Sequence, residues 1–287
     1  MTRHRIVLIL LAVGASLAAA TVRAQCVPAV QRLITDRKYE AARTQLQAQI
    51  TRAPNDDAAM HCMGRLLLEQ NESGDAVNWL EKAVAINKKS AQHHLWLGLA
   101  IRAEGQNAGI LRAPALVGRM KTELEQALAL DPTLVDARYA LLQFYTGAPA
   151  MMGGSMAKAR EHAAEILKLN PMRGHLGYGT IAEQEKDYAA AEKEFLAAIA
   201  TRPDSAVAYN AMGSFYRRRE RWAEATAMYQ KTLTAKPSAT SASIAHYNLG
   251  MIHQQNGRSG QAKAEYQAAL AANPNNGDAK RALESLR

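Results

Sequence analysis

Between Ala206 and Pro237 the chain sets apolar side chains on one helical face, twice. Tyr209, Met212 and Tyr216 stand three or four residues apart, a spacing that aligns them along one side of a helix. The polar run Arg217-Arg218-Arg219-Glu220-Arg221 interrupts them, and Ala225 and Tyr229 then resume the pattern. The same shape returns downstream, with His246 and Leu249 before the break and Ala262, Tyr266 and Ala269 after it. The pattern predicts helix, turn and helix, repeated.

Two sets of marks give the period. MHCMGRLL, LWLGLAI, YNAMGSFY and HYNLGMIH surround Gly64, Gly98, Gly213 and Gly250, and the first two glycines are 34 residues apart. Pro132, Pro171, Pro203, Pro237 and Pro274 follow at spacings of 39, 32, 34 and 37. A helix hairpin of this length cannot bury its apolar face alone, so its neighbours must stack on it. Seven units are expected. A degenerate one runs from about Cys26 to Arg52, and the others begin near Asp57, Ala91, Val135, Met172, Ala206 and Ser243. The final GDAKRALESLR reads as a capping helix. A small residue at Gly213 and Ala225 lets the paired helices approach, and each proline disfavours helical backbone in the residue before it. A coiled coil is excluded, because no heptad runs unbroken through these glycines and prolines.

Counted from Ala206, the unit carries Tyr209, Met212, Gly213, Tyr216, Ala225, Tyr229 and Pro237 at positions 4, 7, 8, 11, 20, 24 and 32. Counted from Ser243, the next carries His246, Leu249, Gly250, Ala262, Tyr266, Ala269 and Pro274 at positions 4, 7, 8, 20, 24, 27 and 32. These spacings resemble the tetratricopeptide repeat (TPR), with Thr232 departing from the alanine usual at position 27. The resemblance implies an all-α, right-handed superhelical solenoid that binds a protein or peptide partner without catalysis. Members that clamp a peptide C-terminus use lysine, asparagine and arginine at set positions. Here position 5 holds His61, Leu95, Tyr139, Leu176, Asn210 and Tyr247, so that clamp is absent. The family's geometry instead assigns Arg173, Thr180, Asn210, Ser214, Arg217, Tyr247 and Gln254 to a partner-binding groove.

Two units are too long. Pro132 falls ten residues late and Pro171 five late, which places intra-hairpin insertions near 105–120 and 147–155. Adjacent units project these turns from the same edge. Either the two loops cover each other, or Leu111, Pro114, Met151, Met152 and Met156 form a soft docking surface. Ser155 is placed to cap the helix that follows.

Charge and cysteine content then bear on location. Arg3 and Arg5 precede an apolar run from Ile6 to about Ala20, and Val22-Arg23-Ala24 resembles a cleavage site. Residues 1–24 are therefore expected to be a cleaved signal peptide, leaving the solenoid from residue 25 in the periplasm or secreted, without stable membrane insertion. Cleavage lowers the formal charge of +9 by three arginines, a modest excess that does not indicate nucleic acid. Cys26 and Cys62 either form a disulfide, as an oxidising compartment favours, or remain two buried thiols.

No chemistry stands out. His93 and His94 are adjacent and point apart on a helix, and His94 and His246 fall at a packing position. His61, His162, His175 and His253 lack metal-ligand spacing. There is no phosphate-binding glycine loop, nucleophile elbow or zinc-protease helix, so no enzyme, cofactor or metal is expected. The basic run at 217–221 is a solvated helix end or an anion contact. The sequence thus points to an exported scaffold for a protein or peptide partner. The runner-up is an accessory component of an envelope transport or secretion system, for example one associated with a TRAP transporter, contacting a solute or polymer.

Overall fold

The computed structural model describes residues 26–107 and 113–286, and every regular element among them is a helix. The predicted signal segment, residues 1–24, lies outside the described residues. Fourteen helices form seven hairpins. They are α1 (Pro28–Thr35) with α2 (Tyr39–Arg52), α3 (Asp57–Glu69) with α4 (Ser73–Ile86), α5 (Ala91–Asn107) with α6 (Ala113–Leu130), and α7 (Val135–Gly147) with α8 (Met156–Leu169). The series continues with α9 (Pro171–Gln184) and α10 (Tyr188–Thr201), α11 (Ala206–Arg218) and α12 (Trp222–Thr234), and α13 (Ala239–Gln255) and α14 (Ser259–Ala272). α15 (Gly277–Ser285) caps the C-terminal end. Among the described residues no helix is long and apolar enough to cross a membrane.

Local chemistry sets the boundaries. Asp56, Asn170, Ser205, Ser238 and Asn276 each accept the backbone N–H three residues on, starting α3, α9, α11, α13 and α15. The Ser238 cap starts α13 four residues before the expected Ser243, which accounts for the long interval between Pro237 and Pro274. Pro171 opens α9 at its first position rather than merely ending α8. Five hairpins share one turn. Arg37, Asn71, Lys186, Glu220 and Gly257 adopt φ between 57° and 71°, and the next N–H reaches back to the carbonyl five residues earlier.

The two long hairpins depart from that turn. The stretch near 105–120, expected as an insertion, is largely helical: α5 and α6 run 17 and 18 residues, against 13 or 14 in α3 and α4. A recurring bond measures the excess. His175 to Glu194 and His246 to Glu265 each span 19 residues, whereas His94 to Glu123 spans 29. The ten extra residues therefore lie between the two ends of that bond, and the backbone groups of those carried by the longer helices are satisfied there. The second insertion is a bonded turn. A single 3-10 turn, Ala150–Met152, leads to Gly153 at φ 94°, and the Gly154 and Ser155 amides return to Pro149 and Tyr145 at 3.1 and 2.9 Å. A side chain at Gly154 would fall 1.8 Å from the Ala148 carbonyl oxygen. Ser155 caps α8 through the Lys158 N–H.

Inside five of the hairpins a glycine meets a large side chain. A Cβ added at Gly64, Gly98, Gly179, Gly213 or Gly250 would lie 2.4–2.8 Å from Leu80, Leu124, Phe195, Tyr229 or Tyr266. Thr232, the departure from alanine, is fully buried and bonds its hydroxyl to the Met228 carbonyl at 3.2 Å. Between hairpins, α3 touches α5, α5 touches α7, and so on to α13, while no two second helices pack as closely. The first helices are the inner wall of a curve and the second helices its outer wall. The curve returns on itself. Asn71 Nδ2 donates to the Asn275 carbonyl at 2.8 Å, Asn275 Nδ2 donates to the Glu69 carbonyl at 2.5 Å, and Arg37 donates to the Ala272 carbonyl. The last unit thus rests against the first two.

Candidate functional site on the inner wall

Because first helices line the inside, residues one period apart become neighbours there. Cys26 and Cys62 are joined as a disulfide with their Cα atoms 5.3 Å apart, fixing the N-terminal segment against α3. Arg65 of α3 donates to Cys26 Sγ at 3.5 Å and stacks 4.5 Å above the Trp96 ring of α5. Arg102 donates to Gln143 Oε1 of α7 at 2.7 Å. Arg173 of α9 bonds Asp136 and lies 5.0 Å over the Tyr139 ring. Guanidinium groups paired with aromatic faces therefore recur along the wall.

The seven groove residues divide. Thr180 donates to the Leu176 carbonyl of its own helix at 2.9 Å. Asn210 is buried and donates to the Ser241 carbonyl at 2.9 Å, bridging two units. Ser214 bonds the Tyr229 hydroxyl at 3.1 Å, and Gln254 accepts from the Tyr266 hydroxyl at 2.6 Å. These four serve internal bonds. Arg173, Arg217 and Tyr247 are half-buried. The buried Arg217 Nε finds no partner among the described residues, and burial, reinforced by Asp278, raises the Tyr247 hydroxyl above its usual value.

The basic run is mostly consumed within the chain. Arg218 makes two bonds to Glu183, at 2.6 and 2.7 Å. Arg219 lies 3.9 Å over Tyr188, and Arg221 pairs with Glu192 and Glu224. Of the docking-loop residues, Leu111 lies outside the described residues. Pro114 is exposed on the first turn of α6, while Met156 opens α8 and packs on the core. Met151 is 94% exposed and Met152 40%, so Met151 does not cover a neighbouring turn.

Between α3 and α5 lies a relay that sequence reasoning missed. His93 Nε2 meets Asp57 Oδ2 at 2.9 Å, and His93 Nδ1 meets His61 Nδ1 at 3.2 Å. Asp57 can only accept, so His93 donates from Nε2 and its Nδ1 accepts from His61. His61 Nε2 is then left buried with no partner among the described residues. Burial, then His93 and Arg65, holds the His61 pKa down to about 3, and burial lowers His93 against the pull of Asp57. Burial pushes Asp57 up, but bonds from His93 and Asn87 outweigh it and leave the carboxyl below its ordinary value. The available signal was spacing: His61 and His93 are 32 residues apart, and Arg65 and Trp96 are 31, each near one period. No group of histidine, cysteine and carboxylate side chains among the described residues is arranged to hold a metal ion.

Comparison with known proteins agrees with this geometry. Residues 150–206 and 204–275 match family models described as tetratricopeptide repeat. No curated protein matches the chain. Among solved structures, a tetratricopeptide repeat protein from Parabacteroides merdae is 17% identical over 90% of this chain and 96% of its own, with a TM-score of 0.63. Yeast Tom70 is 13% identical over 88% of this chain and 51% of its own, at 0.62. The Cut9–Hcn1 assembly of the APC/C is 15% identical over 90% and 48%, at 0.55. The chain therefore carries tetratricopeptide repeats across residues 150–275, set in the all-helical solenoid that these structures share.

Proposed function

We propose that the protein is an exported, non-catalytic scaffold of the cell envelope that holds a protein partner against its inner wall. The observation that carries this reading is the row of guanidinium and aromatic groups at Arg65–Trp96 and Arg173–Tyr139, continued by Arg217 on α11 and Tyr247 on α13. Arginine, tryptophan and tyrosine dominate binding energy at protein interfaces. Their spacing along stacked helices suits an extended segment bearing acidic and aromatic side chains. Tetratricopeptide repeats support a scaffold role, and one similar structure, Cut9–Hcn1, is itself a hetero-tetramer. Export is supported by Arg3 and Arg5 ahead of the Ile6–Ala20 apolar run, and by the Cys26–Cys62 bridge, which suits an oxidising compartment.

The test is photo-crosslinking in the producing cell, followed by fractionation of the envelope. A benzophenone residue replaces Tyr247 on the inner wall or Leu196, half-exposed on α10. The expected result is one discrete adduct from Tyr247, in the envelope fraction, and none from Leu196. Adducts from Leu196 alone, or a cytoplasmic product, would contradict the proposal.

A further inference from the structure

The longest hairpin creates a cavity that the scaffold role does not use. A cavity of about 390 Å³ opens among α5, α6 and α7, where the long hairpin meets the next one. Ile101, Leu116, Met120 and Phe144 give it apolar walls. Gly147, at the end of α7, leaves it open, since no described residue lies within 4 Å of where its Cβ would be. The polar groups are few. Arg102 and Gln143 stand at its edge, joined at 2.7 Å. Arg102 faces no carboxylate among the described residues, since its only side-chain partner there is a neutral amide. By contrast Arg119, Arg160, Arg173, Arg218 and Arg221 are each paired with an acid. A small-molecule site has this composition, with apolar walls and a few polar groups to fix orientation, and this volume falls within the usual range.

We propose that the cavity binds a small amphiphile, a medium-length apolar chain ending in a carboxylate. The apolar chain would lie against Phe144 and Leu116, and the carboxylate would meet the Arg102 guanidinium through charge-assisted bonds. This goes beyond the protein-partner reading and stands without it, since the groups used differ from those at Arg65, Arg173 and Tyr247.

The purified protein is titrated with decanoate, below its aggregation concentration, and with decanol, by calorimetry. One saturable site for decanoate is expected. Arg102→Gln weakens decanoate about tenfold or more and leaves decanol little changed, because a bond to a charged group is lost. Gly147→Leu fills the cavity and weakens both. Circular dichroism confirms that each variant folds, and Arg102→Gln alone suffices if Gly147→Leu does not. Absence of saturable decanoate binding would overturn the proposal, as would equal affinity for decanol. Undiminished decanoate binding in Arg102→Gln would overturn it too. A peptide with a free C-terminus that displaces decanoate and binds more tightly would replace the amphiphile with a protein tail.

Discussion

Replacing Gly250 with alanine adds one carbon where the hairpin has no room. The new Cβ would sit 2.5 Å from Tyr266 Cε1 and 2.6 Å from Cδ1. Carbon atoms pack comfortably only at about 3.5–4.0 Å. The ring cannot swing aside easily. It is fully buried, its hydroxyl is bonded to Gln254, and Tyr247 lies 5.9 Å from its centre. Overpacking of this kind costs about 1–3 kcal/mol. Alanine also gains about 1 kcal/mol over glycine as a helix former, so the net effect ranges from neutral to a loss of about 2 kcal/mol. Gly118 supplies the control. It lies within α6 with no described residue inside 4 Å of an added Cβ, so Gly118→Ala should gain about 0.5–1 kcal/mol. The gap between the variants isolates the packing cost of about 1–3 kcal/mol, or roughly 2–12 °C in melting temperature for a chain of this size. Melting followed by circular dichroism measures it. If Gly250→Ala melts at or above Gly118→Ala, the close approach of α13 and α14 is not what glycine provides there.

Two further outcomes follow from the N-terminal units. His61 and His93 are held neutral in the fold, with pKa values below their unfolded value of 6.5. A lowered histidine stabilises the fold fully above 6.5, and that contribution is lost as pH falls from there toward about 3 for His61. The loss approaches about 1.4 kcal/mol per pH unit for each proton excluded. His61→Asn, which keeps a donor for His93, should therefore narrow its stability gap to the parent between pH 7 and 4.5 in urea titrations. Parallel pH profiles would contradict the buried relay. Replacing Cys26 and Cys62 with alanine should cost about 2–4 kcal/mol by freeing the 36-residue loop. An unchanged urea midpoint, with both thiols titratable in the parent before reduction, would remove the bridge.

What the sequence made legible was short-range. The glycine at position 8, the aromatic at position 24 and the Ser155 cap depend on contacts within one hairpin, and hairpin spacing is written in the chain. Wall chemistry depends on contacts between hairpins. Asn210 looked like a groove residue by position, yet its amide reaches Ser241 in the next unit and is buried there. Ser214 and Gln254 are instead taken up within their own hairpins, by the hydroxyls of Tyr229 and Tyr266. The lengthening of α5 and α6 was hidden because Gly105 and Pro114 read as turn residues. Pro114 sits in the first turn of α6, where it forfeits no helical bond, and Gly105 is carried within α5. The contact between Asn71 and Asn275 is further still from sequence reach. It sums the rotation of every intervening unit, and no local motif records that sum.

That contact is also the most direct test of the solenoid as drawn, because it decides whether the inner wall lines an enclosed passage or an open arc. Spin labels carried on ketone-bearing residues replacing the exposed Asp75 and Lys280, close to either side of the contact, would leave Asn71, Asn275 and the native disulfide untouched. Pulsed electron paramagnetic resonance then reads the distance between them. A single narrow, short-distance distribution is the predicted result. A long or broad distribution would mean that the last unit does not return to the first two, and that the wall from Arg65 to Tyr247 is an open surface.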